Sequence, residues 1–301
     1  MPSSSKSQEP LQVLQAENFA QFSFLVHGFS TRAGGVSTAY GDKSLNLGFS
    51  REDSRENVQR NRVIFLRRLG ARDANQPLSL VTARQIHSDI IHFVDEVPNE
   101  PLAGDGLLTQ TPGILLAIQT ADCLPVLLVD PEHKAVGVFH AGWRGTVKRI
   151  VEKGLGEMRG RFGTVPAYVL AAIGPGIHNC CYEVGEEVRE QFASQFSYAA
   201  ELFHEIQESD PVREKYPLLF MTARAPGHSS LPSRIFLDLV EANRRQLMAA
   251  GVPGTNIDAS PLCTSCRSDL LFSYRKEKGV TGRMLGVAGI LPGTVFLPNS
   301  L

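Results

Sequence analysis

The sequence predicts an α/β or α+β sandwich, in which apolar strands pack against amphipathic helices. Near-continuously apolar stretches of strand length occur at Leu124–Asp130 and Pro166–Ile173, as expected for strands buried on both faces. Apolar residues recur with helical spacing over Arg234–Gly251. The chain has 301 residues, of which 43% are hydrophobic and 20% charged, so it carries enough apolar material for a buried core. These features imply sheets covered by helices.

A single domain is predicted for most of the chain. The polar segment MPSSSKSQEP, residues 1–10, is expected to be a disordered tail. Residues 11–301 contain neither an internal repeat nor a low-complexity linker, which favours one domain. Ser209–Ser233 carries four prolines and is expected to be a long, partly irregular surface connection.

Two helices are predicted in the second half of the chain. Pro166–Ile173 is expected to be a strand that ends at the turn GPGI, and Glu183–Phe192 is expected to be a helix. A second helix is predicted over Arg234–Gly251, with Ser233 as its N-cap and Gly251 at its end. Its apolar face would contain Phe236, Leu239, Val240 and Leu247.

A predicted β-hairpin brings a cysteine and a histidine to the same end of the sheet. The strand Leu124–Asp130 is followed by the four-residue turn PEHK and by a returning strand, Ala135–His140. Pairing the residues that flank the turn places Cys123 opposite Gly142. Cys123 and His140 are therefore expected to be neighbours where loops meet the sheet edge.

The segment after His140 favours a ligand site at this edge. Gly142 and Gly145 allow the backbone to approach a ligand closely. A helix is predicted to begin near Thr146, and its N-terminal amides would face the same edge, where they could favour an anion or a thiolate.

Two chemistries fit a cysteine beside a histidine. The imidazole can activate a thiolate nucleophile, or both side chains can bind a metal such as zinc. His87, in TARQIHSD, is the best candidate for a third ligand because it is predicted to lie at the end of another strand. Cys-His-His with an open fourth position is a catalytic zinc pattern. The H-x-E and P-C-x-x-C signature of the nucleobase deaminases is absent.

Composition disfavours several partners. The formal net charge is −1 and no run of Lys or Arg is present, which disfavours nucleic acid and anionic membranes. Polar residues interrupt the longest apolar stretch, so no membrane-spanning helix is expected. Five cysteines without a disulfide-framework spacing predict a cytoplasmic protein with reduced or metal-bound thiols.

Several motifs resemble those of the YfiH-type family, long described as polyphenol oxidases or laccase-domain proteins and now understood as purine nucleoside phosphorylases. They occur in the family's order and cover about residues 25–290. The motifs are HGFSTRAGGVS, LNLG, RQIHS, GDGLLT, TADCLPVLL, FHAGWRGT, IGPGIHNCCYEVG, LDLVEANRRQL, CTSC and LFSYRKEKGVTGRMLGV. The combination of TADC with HAGWRG is the most specific of these resemblances.

The resemblance implies a single-domain, layered α/β/β/α sandwich with mixed sheets. It implies that His87, Cys123 and His140 bind the metal. It also implies phosphorolysis of adenosine, inosine and S-methyl-5′-thioadenosine to free base and the corresponding ribose 1-phosphate, with adenosine deamination as a side activity. The expected cofactor is zinc, with copper possible under the older description of the family. The expected partners are purine nucleosides and phosphate, and the chain would act as a monomer or a homodimer.

Phosphorolysis requires an anion site. Within STRAGGVS, Arg32 offers forked donors that suit phosphate, and the glycines after it can present backbone amides. We therefore predict Arg32 as a catalytic and substrate-binding residue, with Arg144, Arg275 and Asn46 as further substrate-binding candidates. Trp143 fits either purine stacking or core packing.

Two other classes of protein remain open from the residues alone. One is a cysteine hydrolase, such as an amidase acting on cell-wall precursors, with Cys123 as the nucleophile. The other is a metal-binding or partner-binding protein without catalysis. Copper-dependent phenol oxidation is less favoured, because the sequence lacks the clusters of histidine and methionine that would build a multicopper relay.

Overall fold

The computed structural model describes residues 11–71, 77–207 and 233–293. The predicted tail therefore lies outside the described residues, as does the predicted irregular connection apart from Ser233. Contacts divide the chain into two compact units. The first comprises Met1–Ile177 with Leu239–Leu301, and the second is His178–Asp238. The prediction of one domain over residues 11–301 stays a prediction.

The described residues form more β-strands than α-helices. The strands are β1 (Val13–Leu14), β2 (Leu25–Ser30), β3 (Ala33–Ser37), β4 (Ser79–Thr82), β5 (Ile91–Phe93), β6 (Gly106–Thr109), β7 (Ile114–Thr120), β8 (Leu124–Asp130), β9 (Ala135–Ala141), β10 (Leu170–Ile173), β11 (Glu183–Val184), β12 (Phe203–Gln207), β13 (Ser233–Leu237), β14 (Ile257–Ala259) and β15 (Met284–Ile290). The α-helices are α1 (Arg55–Arg68), α2 (Trp143–Val147), α3 (Ile150–Phe162), α4 (Glu186–Gln195) and α5 (Leu239–Ala249).

The first unit contains two mixed sheets. One has the strand order β1-β2-β15-β7-β4, and the other has the order β14-β10-β8-β9-β6-β5. Apolar side chains from both sheets form one core cluster, which includes Leu116 and Ile118 of β7 together with Leu127 of β8 and Val138 of β9. The central strands are buried on both faces, which explains their continuous apolar sequences.

Helices cover the outer faces of the two sheets. Phe65 and Leu66 of α1 share a core cluster with Leu115 of β7. On the other sheet, α3 packs closely on β9, since a Cβ at Gly154 would be 2.1 Å from the Phe139 ring. The predicted α/β/β/α arrangement with mixed sheets is therefore confirmed in the first unit.

The hairpin register is confirmed. Asp130 pairs with Ala135, and Pro125 pairs with His140. The short turn leaves little freedom in the pairing, and both strands are fully buried, so a slip of one residue would exchange their two faces. This register fixes where His140 lies relative to the residues that precede β8.

The prediction of one helix over Arg234–Gly251 is wrong. Ser233–Leu237 is strand β13, and helix α5 begins only at Leu239. Strand β13 pairs with both β11 and β12, and these partners override the helical pattern. Ser233 is consequently not an N-cap and Phe236 lies on no helical face. Gly251, with φ of 103°, follows the helix end as predicted.

Smaller differences concern where elements begin. The predicted helix Glu183–Phe192 starts with β11 and continues as α4 from Glu186. The predicted strand Pro166–Ile173 opens with a 3₁₀ turn, and its extended part begins at Leu170. Within the described ranges, no helix combines the length and apolar character needed to cross a membrane.

Candidate metal centre

Three side chains predicted as metal ligands lie together in the first unit. His87, Cys123 and His140 each offer one ligand atom, and these atoms lie within 4.8 Å of one another. The two imidazole rings are nearly perpendicular, with centroids 4.9 Å apart. One thiol and two imidazoles suit a borderline divalent metal ion. The arrangement is thus a candidate metal centre built from three separate chain segments.

Cys123 is presented by a strained turn between β7 and β8. Asp122, which precedes it, has φ of 94° although it is not glycine, and such a backbone persists only where neighbours enforce it. Its carboxylate accepts hydrogen bonds from the Thr264 hydroxyl and the Arg275 N–H, each at 2.6 Å. Its carbonyl oxygen accepts one from the Ile177 N–H. These contacts fix the direction in which the Cys123 thiol leaves the turn.

His87 does not sit at a strand end as predicted. It lies in a bend beyond β4 and has φ of 56°, in the left-handed region. The buried carboxylate of Asp105 holds this bend. It accepts hydrogen bonds from the backbone N–H groups of Ile86, His87 and Ser88, at 3.1, 3.1 and 2.6 Å, and from the Ser88 hydroxyl at 2.7 Å.

The same carboxylate orients His140. Asp105 Oδ1 lies 2.8 Å from His140 Nδ1, so a proton on Nδ1 is donated to Asp105 and the Nε2 lone pair is left for a ligand. Burial alone would raise the pKa of Asp105, but hydrogen bonds from His140 and Ser88 hold it well below its usual range. Asp105 is therefore a fully buried carboxylate that positions two of the three candidate ligands.

The electrostatics of Cys123 and His140 are coupled. Burial opposes ionisation of the thiol, but the positive charge of His140, with hydrogen bonds from His140 and His87, lowers the pKa of Cys123. Burial likewise opposes protonation of the imidazole, but the Cys123 thiolate and Asp105 raise the pKa of His140. The pocket thus favours a thiolate, which is the form that binds a metal or acts as a nucleophile.

Gly142 leaves the space that the thiol occupies. A Cβ at this position would lie 2.8 Å from Cys123 Sγ and 3.4 Å from His87 Cδ2. The predicted proximity of Cys123 and Gly142 is therefore confirmed. Any larger residue would push on two candidate ligands at once.

The predicted substrate residues after β9 and near Asp122 are exposed. The helix expected near Thr146 begins at Trp143, as the five-residue α2. Arg144 is exposed, and its guanidinium carbon lies 4.4 Å from the centroid of the half-buried Trp143 ring. Arg275 is also exposed, and its backbone is tied to Asp122. Substrate binding by Arg144 and Arg275 stays a prediction.

Arg32 is already engaged inside the protein. Its two terminal nitrogens donate to the carbonyl oxygens of Ser268, Leu271 and Tyr40 and to the Glu277 carboxylate. A phosphate at Arg32 would have to displace these partners. The phosphate role of Arg32 stays a prediction, and its occupied donors argue against it.

Asn46 is likewise engaged. It is fully buried, and its amide nitrogen donates to Gly48 O and Asp53 Oδ2. Its amide oxygen accepts from the N–H groups of Gly48 and Arg283. The four hydrogen bonds leave no free group for a ligand, so Asn46 holds the loop before α1. Its predicted contact with substrate is not favoured by this geometry.

Sequence reasoning missed the roles of Asp105 and Asp122. Asp105 lies between two glycines at the start of β6, in GDGLLT. An acidic residue that opens a buried strand must find partners, and this is the signal that could have drawn attention to it. Asp122 precedes Cys123 in the TADC motif, and nothing in the sequence indicates its positive φ.

The two-sheet sandwich and the Cys-His-His cluster together describe an α+β protein with a candidate metal centre. The chain belongs to the family described as multi-copper polyphenol oxidoreductase laccase, whose model matches residues 26–291. The resemblance to YfiH-type proteins and the expectation of an enzyme are thereby confirmed.

Named relatives and solved structures agree with this membership. A purine nucleoside phosphorylase from Deinococcus radiodurans is 39% identical over 282 residues, covering 93% of each chain. The adenosine deaminase RL5, from an unknown prokaryotic organism, is 33% identical over 90% of this chain and 96% of its own. The crystal structure of YlmD from Geobacillus stearothermophilus superposes with a TM-score of 0.73, at 32% identity, over 95% of this chain and 98% of that one.

Proposed function

We propose that the chain is a zinc-dependent purine nucleoside phosphorylase. In this proposal it cleaves adenosine, inosine and S-methyl-5′-thioadenosine with phosphate to free base and the corresponding ribose 1-phosphate, and has adenosine deaminase side activity. One similar protein is named a purine nucleoside phosphorylase and another an adenosine deaminase, and these names support the reaction class. The observation that carries the proposal is the convergence of His87, Cys123 and His140.

The donor set supports zinc. Zinc in catalytic sites is held by three protein ligands of the thiolate, imidazole or carboxylate type, with one position left for water or substrate. When bound, zinc supplies Lewis acidity at that open position. Copper in a phenol oxidase would require a redox-active centre, and the Cys-His-His set by itself does not build a multicopper relay.

The chain's own residues prepare the site. Asp105 lies 2.8 Å from His140 Nδ1, so it favours the tautomer that leaves Nε2 for a metal. The lowered pKa of Cys123 favours its thiolate. Ile86, which lies directly before His87, is exposed. Arg144 and Arg275 are also exposed, and we propose that these two cations bind the nucleoside.

A second candidate function follows from one observation. Cys123, His140 and Asp105 have the order of contacts of a nucleophile, a base and an orienting carboxylate. This arrangement would suit a cysteine hydrolase. His87 favours the metal centre instead, because a hydrolase triad has no need for a second imidazole within reach of the thiol.

The test is product identification with metal-quantified protein. Zinc-loaded, copper-free enzyme is incubated with adenosine in the presence and absence of phosphate. We expect adenine and ribose 1-phosphate only with phosphate, and slow formation of inosine without it. An enzyme inert toward every purine nucleoside that oxidises a phenol after copper loading would establish the oxidase instead. A covalent adduct on Cys123 would establish the hydrolase.

The cytoplasmic location predicted from the sequence, and the choice between monomer and homodimer, stay predictions. They affect neither the reaction nor its test.

A further inference from the structure

Two arginines of α1 converge on one exposed aromatic ring. The guanidinium carbon of Arg62 lies 4.5 Å from the centroid of the Phe49 ring, and that of Arg55 lies 4.8 Å from it. The ring is 44% exposed. Cations over an aromatic face are held by its quadrupole. We name Phe49, Arg55 and Arg62 the Phe49 cluster.

The guanidinium of Arg62 is held but not neutralised. Its Nε donates to Leu47 O at 2.9 Å, which fixes the plane of the fork. Within the part of the chain that the structure describes, its two terminal nitrogens have no hydrogen-bond partner, and no carboxylate forms a salt bridge with Arg62 or Arg55. Partial burial lowers the pKa of Arg62 to about 10. The side chain stays charged at neutral pH but is incompletely solvated, a condition that an anion relieves.

The acidic residues nearest in sequence are committed elsewhere. Glu56 pairs with Arg60 at 2.7 Å, and Glu52 accepts a hydrogen bond from the Tyr40 hydroxyl. Asp53 is buried and accepts from Ser37 and Asn46. None of these three acidic residues therefore pairs with an arginine of the Phe49 cluster. This contrasts with Arg32, whose charge Glu277 balances.

Contacts place the loop before α1 beside two segments that lead to candidate metal ligands. Gly48 lies against Gln119, since a Cβ at position 48 would be 2.7 Å from Gln119 Oε1. Gln119 exchanges two hydrogen bonds with Gln85, at 2.7 and 2.8 Å. Gln85 precedes His87 by two residues and Gln119 precedes Cys123 by four. Gly48, the residue before Phe49, therefore lies beside the segments that lead to His87 and Cys123.

We propose that the Phe49 cluster is a phosphate-binding site, in which the free fork of Arg62 takes two phosphate oxygens and Arg55 supplies a second positive charge. A planar guanidinium with two parallel free donors matches a phosphate edge. The ligand is either inorganic phosphate, as co-substrate of the reaction, or a phosphate group on another molecule. Only the first of these sources rests on the proposed function.

The direct test is a calorimetric titration of the full-length, zinc-loaded protein with inorganic phosphate at constant ionic strength. Arg62→Ala is expected to weaken phosphate binding about tenfold or more, and Arg55→Ala by a smaller factor, because each removes a charge-assisted contact. Arg60→Ala is the matched control: it removes the same charge from the same helix, from a side chain already paired with Glu56, and should leave binding unchanged. Arg62→Lys keeps the positive charge but lacks the forked donors, and it is the variant to titrate if Arg62→Ala does not fold.

The outcomes separate this inference from the proposed function. Absence of phosphate binding by the wild-type protein, or equal affinity of the wild-type, Arg62→Ala and Arg62→Lys proteins, overturns the phosphate site. If Arg62→Ala raises the phosphate KM of phosphorolysis as much as it weakens binding, and adenosine deamination is retained, the site serves the co-substrate. If binding falls but the phosphate KM does not change, the site holds a phosphate group of another ligand. A wild-type protein without phosphorolysis refutes the proposed function, while the titration still decides this site.

Discussion

Replacing Asp105 by asparagine removes the group that positions two of the three candidate ligands. The carboxylate is fully buried and accepts five hydrogen bonds, three from backbone N–H groups, one from Ser88 Oγ and one from His140 Nδ1. An amide has only one oxygen. In either orientation of the amide, its NH₂ group faces at least two of the five donors. If the NH₂ group faces His140, it favours the tautomer with the proton on Nε2, which cannot bind a metal through Nε2.

The magnitude follows from these contacts. A hydrogen bond to a charged group contributes about 1.5–3 kcal/mol, so loss of two lowers the free energy of unfolding by about 3–6 kcal/mol. Loss of an outer partner of a metal-binding histidine lowers metal affinity about 10- to 100-fold. We therefore expect Asp105→Asn to bind zinc at least about tenfold more weakly than wild type.

The assay is chelator competition for zinc, with urea unfolding of the metal-free proteins in parallel. Asp130→Asn is the matched control. Asp130 is a buried carboxylate at the end of the β8–β9 hairpin that is opposite to His140, and it contacts the His133 ring at 2.9 Å and two backbone N–H groups. Asp130→Asn should lose stability but keep zinc affinity. A folded Asp105→Asn protein with wild-type zinc affinity would refute the positioning role.

Four further predictions concern the Cys123 thiol, Gly142 beside it, the role of Arg32 and the titration of His27. As a metal ligand, Cys123 should resist alkylation until a chelator removes the metal; rapid modification of the zinc-loaded enzyme would instead indicate a nucleophile. Gly142→Ala should lower zinc affinity, because its Cβ would lie 2.8 Å from Cys123 Sγ; unchanged zinc affinity would show that the thiol can move aside. Arg32→Ala should lower the free energy of unfolding by about 2–3 kcal/mol and leave the phosphate KM unchanged, whereas a raised phosphate KM at wild-type stability would restore the phosphate role predicted from the sequence. Burial lowers the pKa of His27 from 6.5, and its Nε2 accepts a hydrogen bond from the Ala16 N–H. The stability that neutral His27 contributes should therefore be fully present above pH 6.5 and fall as the pH drops toward the lowered pKa. Unfolding curves of His27→Gln should lack this loss.

The hairpin and its register could be predicted because the determinants are local. Two apolar runs joined by four turn residues admit one pairing, and that pairing places Cys123 and His140 together. The prediction of one helix over Arg234–Gly251 is wrong for the opposite reason. Its first residues fit a helical pattern, but their conformation depends on pairing with β11 and β12, which come from elsewhere in the chain.

Contacts between residues distant in sequence also limit what could be predicted about the candidate site. Arg32 and Asn46 have the chemistry of ligand-binding residues, yet their partners lie more than two hundred residues away at Glu277 and Arg283. Asp105 gives no periodic signal, and its partners at Ser88 and His140 are 17 and 35 residues distant. Residue type and local spacing therefore predicted a plausible set of ligands but not which polar groups were already satisfied.

The most direct measurement is anomalous diffraction from crystals of protein purified without added metal, with data collected on both sides of the zinc absorption edge. We expect one peak, about 2.0–2.3 Å from the ligand atoms of His87, Cys123 and His140, that disappears below the edge. A copper peak at this position, no peak among the three side chains, or density for a covalent adduct on Cys123 would contradict it.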